Sequence, residues 1–164
     1  MDKASTNYRD LVLDSVKNNK IFDQGWHTIY RLPDGILAKH FNNILNARKE
    51  YNIGKILYDS GVNVPRYHSF IWGLTSSYVV MDEIEGVGLG SFTDTDLSFK
   101  HGEQISKAWD AGLEPVDAGS QNAILENETG KVYLIDFEKW KFQRNFAHRS
   151  LDNLVSLRQQ YFRV

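Results

Sequence analysis

The chain has 164 residues, 41% hydrophobic, 13% aromatic and 24% charged, with a formal net charge of −2. That composition suits one globular domain, or two small lobes sharing a cleft, and excludes an intrinsically disordered chain. The absence of cysteine excludes disulfides and thiolate metal sites, and a charge this close to neutrality gives no basis for nucleic-acid or membrane-surface binding.

The first predicted element is a short helix over Ser5–Asn18, capped by Ser5 or Thr6, with Tyr8, Leu11, Val12 and Val16 on one side. Asn18-Asn19 ends it. From Lys20 the texture turns to strands: IFDQG, then WHTIYRL, then ILAKHF after a Pro33-Asp34-Gly35 hairpin turn. Lys39 stands in the last strand between apolar neighbours, a position where a lysine on its own reads as solvent-facing. Asn43–Ser60 has helical spacing, with Ile44, Ala47, Tyr51, Ile56 and Leu57 apolar and Gly61 as the residue after the cap. Glu50 lies mid-helix, either on a solvated face beside Arg48 and Lys49 or facing the sheet to pair with Lys39. VNVPRYHSFIWG and TSSYVVMDEIEG read as two strands around a turn at Gly73. Met81 to Gly86 then leaves the sheet, and GVGLG reads as a flexible connection over residues 85–92.

A helix is predicted over Asp94–Ala111, with Thr93 or Thr95 as cap, apolar Leu97, Phe99, Ile105, Ala108 and Trp109, and Gly112 as stop. Gly102 is expected to weaken or break it. Leu113 to Phe142 then carries a loop with Asp117 and Asn122, a strand over Ala123–Glu126, a turn at Glu128–Gly130, and a strand over Val132–Ile135 that ends on Asp136. A carboxylate closing an apolar strand, with a second acid and an amide one loop earlier, suits Mg²⁺ with phosphate oxygens, because Mg²⁺ takes few protein ligands. The alternative is that Asp136 only ends a strand. A final amphipathic helix is predicted over Ser150–Phe162, and Lys139, Lys141, Arg144, Arg149, Arg158 and Arg163 read as a solvated basic face. The five histidines are too scattered to suggest a metal site.

In this order the motifs resemble the protein-kinase-like fold, in an unusually small version. ILAKHF looks like the strand bearing the phosphate-binding lysine, Lys39, with Glu50 at the position of its helical glutamate. SYVVMDEIEG looks like the hinge, where backbone groups of Asp82, Glu83 and Ile84 meet the adenine edge. AWDAGLEPVDAGSQN resembles the catalytic loop, with Asp117 its aspartate and Asn122 its metal-binding asparagine. YLIDFE resembles the D-F-G segment, with Asp136 the Mg²⁺ ligand. The G-V-x-V-P within ARKEYNIGKILYDSGVNVPRYHSFIWG is similar to small RIO-like and archaeal-type atypical kinases, and the economy of the whole is similar to miniature effector kinases.

The resemblance implies an α+β, bilobal fold: an N-terminal helix (residues 1–19), an antiparallel-sheet N-lobe (20–86) and a truncated, mainly helical C-lobe (87–164). It implies an ATP- and Mg²⁺-dependent phosphotransferase acting on protein Ser/Thr, with Asp117 as acid/base and a protein substrate or partner. A pseudokinase or protein-binding module is the alternative, and a small-molecule phosphotransferase a third. Three departures bear on this. FDQGWHTIY offers only Gly25 in place of a G-x-G-x-x-G loop. Pro115-Val116 replaces His-Arg before the catalytic aspartate. Asp136-Phe137-Glu138 replaces D-F-G, and the 28 residues after Asp136 leave no room for the usual substrate-binding subdomain. No apolar run approaches the ~18 residues of a bilayer span. The polar, charged MDKASTNYRDLV does not read as a secretory signal, so cytoplasm is expected, or a second cell's cytoplasm for a delivered effector.

Overall fold

The computed structural model describes residues 7–18, 20–23, 28–73, 76–90 and 94–143. The Ser5/Thr6 cap, Gly25, Thr93 and the helix predicted over Ser150–Phe162 lie outside these residues.

The first half is a five-stranded antiparallel sheet. Its strands are β1 (Lys20–Asp23), β2 (Thr28–Leu32), β3 (Ile36–Phe41), β4 (Tyr67–Trp72) and β5 (Ser77–Asp82), in the spatial order β1-β2-β3-β5-β4. The turn between β2 and β3 forms where predicted, with Asp34 (φ 61°) and Gly35 (φ 68°) both in the left-handed region that Asp and Gly tolerate best.

Alternation along β3 and β5 sends successive side chains to opposite faces. Ala38 and Val80, paired across the ladder, join Leu32 and Val12 beneath α1 (Tyr8–Asn18). Leu37, Val79 and Met81 face the other way, towards α2 (Ile44–Asp59) and the main core. The sheet therefore carries a helix on each face.

Asn43 caps α2 by accepting the Leu45 N–H at 2.8 Å, and Gly61 (φ 77°) follows its last turn as predicted. Its buried stripe is Ala47, Glu50, Ile53, Gly54 and Leu57, whereas Ile44 is 42% exposed. Glu50 lies in this stripe, which is the sheet-facing one of its two readings from the sequence. Gly54 lies against the Tyr67 ring: a Cβ built there would be 2.2 Å from Tyr67 Cε2. Helix propensity alone favours alanine over glycine by ~1 kcal/mol, but overpacking against a buried ring costs ~1–3 kcal/mol. Gly54→Ala is therefore expected to lower the urea midpoint, and a raised midpoint would mean that the ring yields.

Beyond Asp82 the chain does not run free. Residues predicted as a flexible connection include β6 (Gly86–Gly88), which pairs antiparallel with β8 (Ala123–Glu126), and β8 pairs with β9 (Val132–Leu134). Gly86 allows this, because a Cβ there would be 2.2 Å from the Leu125 carbonyl oxygen. α3 (Thr95–Asp110) is continuous through Gly102, and its cap is Asp94, whose Oδ1 accepts the Asp96 N–H at 2.8 Å. Its buried residues are Gln104 and Ala108, while Phe99 is 73% exposed. Two short strands, β7 (Leu113–Glu114) and β10 (Lys141–Phe142), pair antiparallel.

The described part from residue 86 holds one α-helix, one 3₁₀ turn and five short strands. The strands not expected from the sequence, β6, β7 and β10, have two or three residues, too few to show the period-2 pattern that identifies longer ones. Among the described residues no helix is long and apolar enough to cross a membrane.

Candidate functional site

Lys39 lies on the α2 side of the sheet with 6% relative exposure. An ammonium removed from water needs carboxylate partners in its place. Lys39 Nζ donates to both Glu50 oxygens at 3.1 Å and to Asp136 Oδ1 at 2.9 Å. Glu50, 1% exposed, also accepts the Phe137 N–H at 3.2 Å. One buried carboxylate thereby ties β3, α2 and the segment after β9 together. The solvated-face alternative for Glu50 and the solvent-facing alternative for Lys39 are both excluded by this burial.

Burial alone lowers the Lys39 pKa, but Glu50 and Asp136 outweigh it and hold the ammonium above a lysine's ordinary 10.5. A folded-state pKa raised above the unfolded value gives stability that is full below about pH 10.5 and is lost as pH rises through the folded value. Urea midpoints in metal-free buffer are expected to fall above about pH 10.5, and to fall less steeply for Lys39→Met. Equal slopes would show that Lys39 does not contribute to this limb.

Asp136 and Asn122 sit on neighbouring backbone, since the Ile135 N–H donates to the Asn122 carbonyl at 3.0 Å. Asn122 closes a 3₁₀ turn over Ser120–Asn122, and its Nδ2 donates to the Asp117 carbonyl at 2.6 Å, leaving its Oδ1 as the free acceptor. Asp117 (φ 61°) and Asp136 (φ 67°) both hold left-handed backbone. For a non-glycine residue that costs of order 1 kcal/mol, and Asp tolerates the conformation better than most.

A cavity of about 380 Å³ opens beside this cluster. Leu37 and Met81 line it from the large sheet, Ile124 from the small one and Ile135 from just past β9, and Lys39, Glu50, Asn122 and Asp136 supply its charged and polar wall. Asp82, Glu83 and Ile84 form its edge, but their backbone donors are not equivalent. The Asp82 N–H donates to the Arg66 carbonyl at 3.0 Å and the Glu83 N–H to the Gly35 carbonyl at 2.7 Å, which leaves the Ile84 N–H for a ligand. Arg31 grips the Glu83 carboxylate from β2 through Nε and Nη2, which fixes this edge to the hairpin.

Asp117 is not part of the cavity lining. It adjoins it through Gln121, a lining residue whose Nε2 donates to Asp117 Oδ1 at 3.4 Å. Its other oxygen, Oδ2, accepts from Lys139 Nζ at 2.6 Å. That contact holds the Asp117 carboxyl below the ordinary carboxylate range and the Lys139 ammonium above the ordinary lysine value. The structure thus brings Lys39, Glu50, Asp82, Glu83, Ile84, Asn122 and Asp136 to one cavity with Asp117 beside it, while Gly25 lies outside the described residues. Lys139, read from the sequence as part of a solvated basic face, has a side chain 60% exposed and pairs with Asp117, a partner 22 residues away that no local pattern indicates.

No family model and no curated protein matches the chain by sequence. Solved structures do match, 325 chains of them. One is the co-crystal structure of WbdD and the kinase inhibitor LY294002, at TM-score 0.56 and 17% identity, covering 85% of this chain and 35% of that one. The chain therefore spans about a third of that protein's length. At this identity the likeness is one of fold: α+β, kinase-like, with an antiparallel sheet.

Proposed function

We propose that this kinase-like chain is an ATP- and Mg²⁺-dependent phosphotransferase, built as two lobes around the cavity, and that its acceptor is a serine or threonine hydroxyl of a protein. The observation that carries the proposal is the buried Lys39 ammonium, held by Glu50 and Asp136 at the wall of an otherwise largely apolar cavity. Phosphoryl transfer asks a protein mainly to position the γ-phosphate and neutralise its developing charge. A lysine locked between two carboxylates is a positioned cation. The apolar side chains of Leu37, Met81, Ile124 and Ile135 suit a planar base, and the Ile84 N–H suits its hydrogen-bonding edge.

The donor set fits Mg²⁺. Asn122 Oδ1 and the Asp136 carboxylate are hard oxygen donors on adjacent backbone, and a Mg²⁺ held there would take its remaining ligands from phosphate and water. Its contribution when bound is charge neutralisation on the phosphates. Asp117, next to the cavity mouth, is placed to orient the acceptor hydroxyl and take its proton. Recognition of the acceptor protein is assigned to surfaces outside the cavity or to a partner.

One observation favours a second reading, a binding module without transfer: both Asp117 oxygens are already engaged, by Lys139 and Gln121. Incubation with ATP, Mg²⁺ and a Ser/Thr-rich acceptor such as casein, followed by intact-mass analysis, separates the two. A phosphoryl increment on the acceptor supports the kinase. Label found only on small molecules would reassign the acceptor class, and nucleotide binding without any transfer would favour the binding module.

A further inference from the structure

The segment that carries Asp117, LEPVDAGSQN, contains no lysine or arginine. Lys39 meets the carboxylates of Glu50 and Asp136, and not that of Asp117. Lys139 is the cation that meets Asp117, at 2.6 Å. Its side chain is 60% exposed, and an exposed pair of this kind adds ~0–1 kcal/mol to stability, so folding alone gives little reason for its placement.

The placement is nevertheless fixed. Lys139 stands on a turn closed by the Trp140 N–H donating to the Phe137 carbonyl at 3.1 Å. Phe137 and Trp140, on either side of it, are 0% and 1% exposed and stack edge to face at 5.0 Å between ring centroids. Two buried aromatics anchor the turn, and the lysine between them reaches Asp117, the carboxylate that adjoins the cavity through Gln121. An exposed side chain on a rigid base, aimed at a proposed reacting group, is preorganised without being structural.

We propose that Lys139 is a catalytic residue whose ammonium contacts the phosphoryl group during transfer, and which pairs with Asp117 only while no phosphoryl group is present. This rests on the phosphotransferase reading above. In the step itself the acceptor oxygen forms a bond to the γ-phosphorus, and the bond from that phosphorus to the bridging oxygen breaks. ADP leaves with the electron pair, and the hydroxyl proton passes to the Asp117 carboxylate. Contact between Lys139 and the equatorial phosphoryl oxygens frees that carboxylate for the proton and spreads positive charge over the group in flight.

The test is calorimetric titration of the full chain with ADP and Mg²⁺, with and without fluoroaluminate as the mimic of the transferred phosphoryl group. Wild type is expected to bind ADP at least about tenfold more tightly with fluoroaluminate, as a site complementary to the transition state does. Lys139→Met is expected to bind ADP within about twofold of wild type yet lose most of that gain, while Lys139→Arg keeps most of it. Under turnover, Lys139→Met is expected to lower kcat by about 100-fold with KM for ATP little changed. Unaltered thermal unfolding of Lys139→Met would keep a folding defect out of the comparison.

Retention of the fluoroaluminate gain in Lys139→Met overturns the assignment, as does a wild type that binds ADP and gains nothing. A wild type that takes up no ADP has a different signature: it overturns the phosphotransferase reading, and the role of Lys139 with it.

Discussion

Replacing Lys39 by methionine is expected to destabilise the fold by about 3–5 kcal/mol, because it leaves a buried carboxylate without its cation. Glu50 is 1% exposed, and the Phe137 N–H that it accepts does not replace a cation. Against a typical total of ~5–15 kcal/mol for a native domain, that loss is large enough to shift a denaturant midpoint severely. The double variant Lys39→Met, Glu50→Leu distinguishes an electrostatic cause from a packing one. Removing both charges is expected to restore most of the stability, short by ~1–3 kcal/mol because the Phe137 N–H loses its acceptor. A double variant no more stable than Lys39→Met would show that the methylene stem of Lys39, and not its charge, is what the site needs.

Asp117→Ala is expected to reduce phosphoryl transfer by about 10²–10⁴-fold, the range set by a positioned general base, while nucleotide affinity stays within about twofold. The contrast follows from position: Asp117 lies beside the cavity and not in its wall, and among the described residues its side chain hydrogen-bonds to Lys139 and Gln121. An exposed carboxylate of this kind supports little of the fold, so stability is expected to change by less than about 1 kcal/mol. Transfer that persists in the variant would remove Asp117 from the reaction. Loss of nucleotide binding would move it into the cavity function instead.

The hairpin at Asp34-Gly35, the helix stop at Gly61 and the strands around Lys39 and Val79 were legible because local chemistry decides them. The phasing of α2 was not. Glu50 looks solvent-directed until a lysine from β3 and an N–H from Phe137 are placed beside it, and those partners come from distant parts of the chain. The strand at Gly86–Gly88 was hidden for a related reason. Two glycines suggest a linker, yet Gly86 is there to let the Leu125 carbonyl approach, a long-range fact. Lys139 belongs to the same class. Its partner Asp117 is 22 residues away, and only the buried pair Phe137 and Trp140 aims the turn between them. The grouping of Lys39, Glu50, Asn122 and Asp136 was legible through the order of motifs and the resemblance they carry, since spacing alone does not bring them together.

The central claim is that this cavity holds a nucleotide with Mg²⁺ on Asp136. Calorimetric titration with ATP, with and without Mg²⁺, on wild type and on Asp136→Asn tests it most directly. Wild-type binding is expected to strengthen by at least about tenfold with Mg²⁺, and that gain to vanish in the variant while metal-free binding changes little. A folded wild type that takes up no ATP under either condition, or an Asp136→Asn that keeps the whole Mg²⁺ gain, would contradict it.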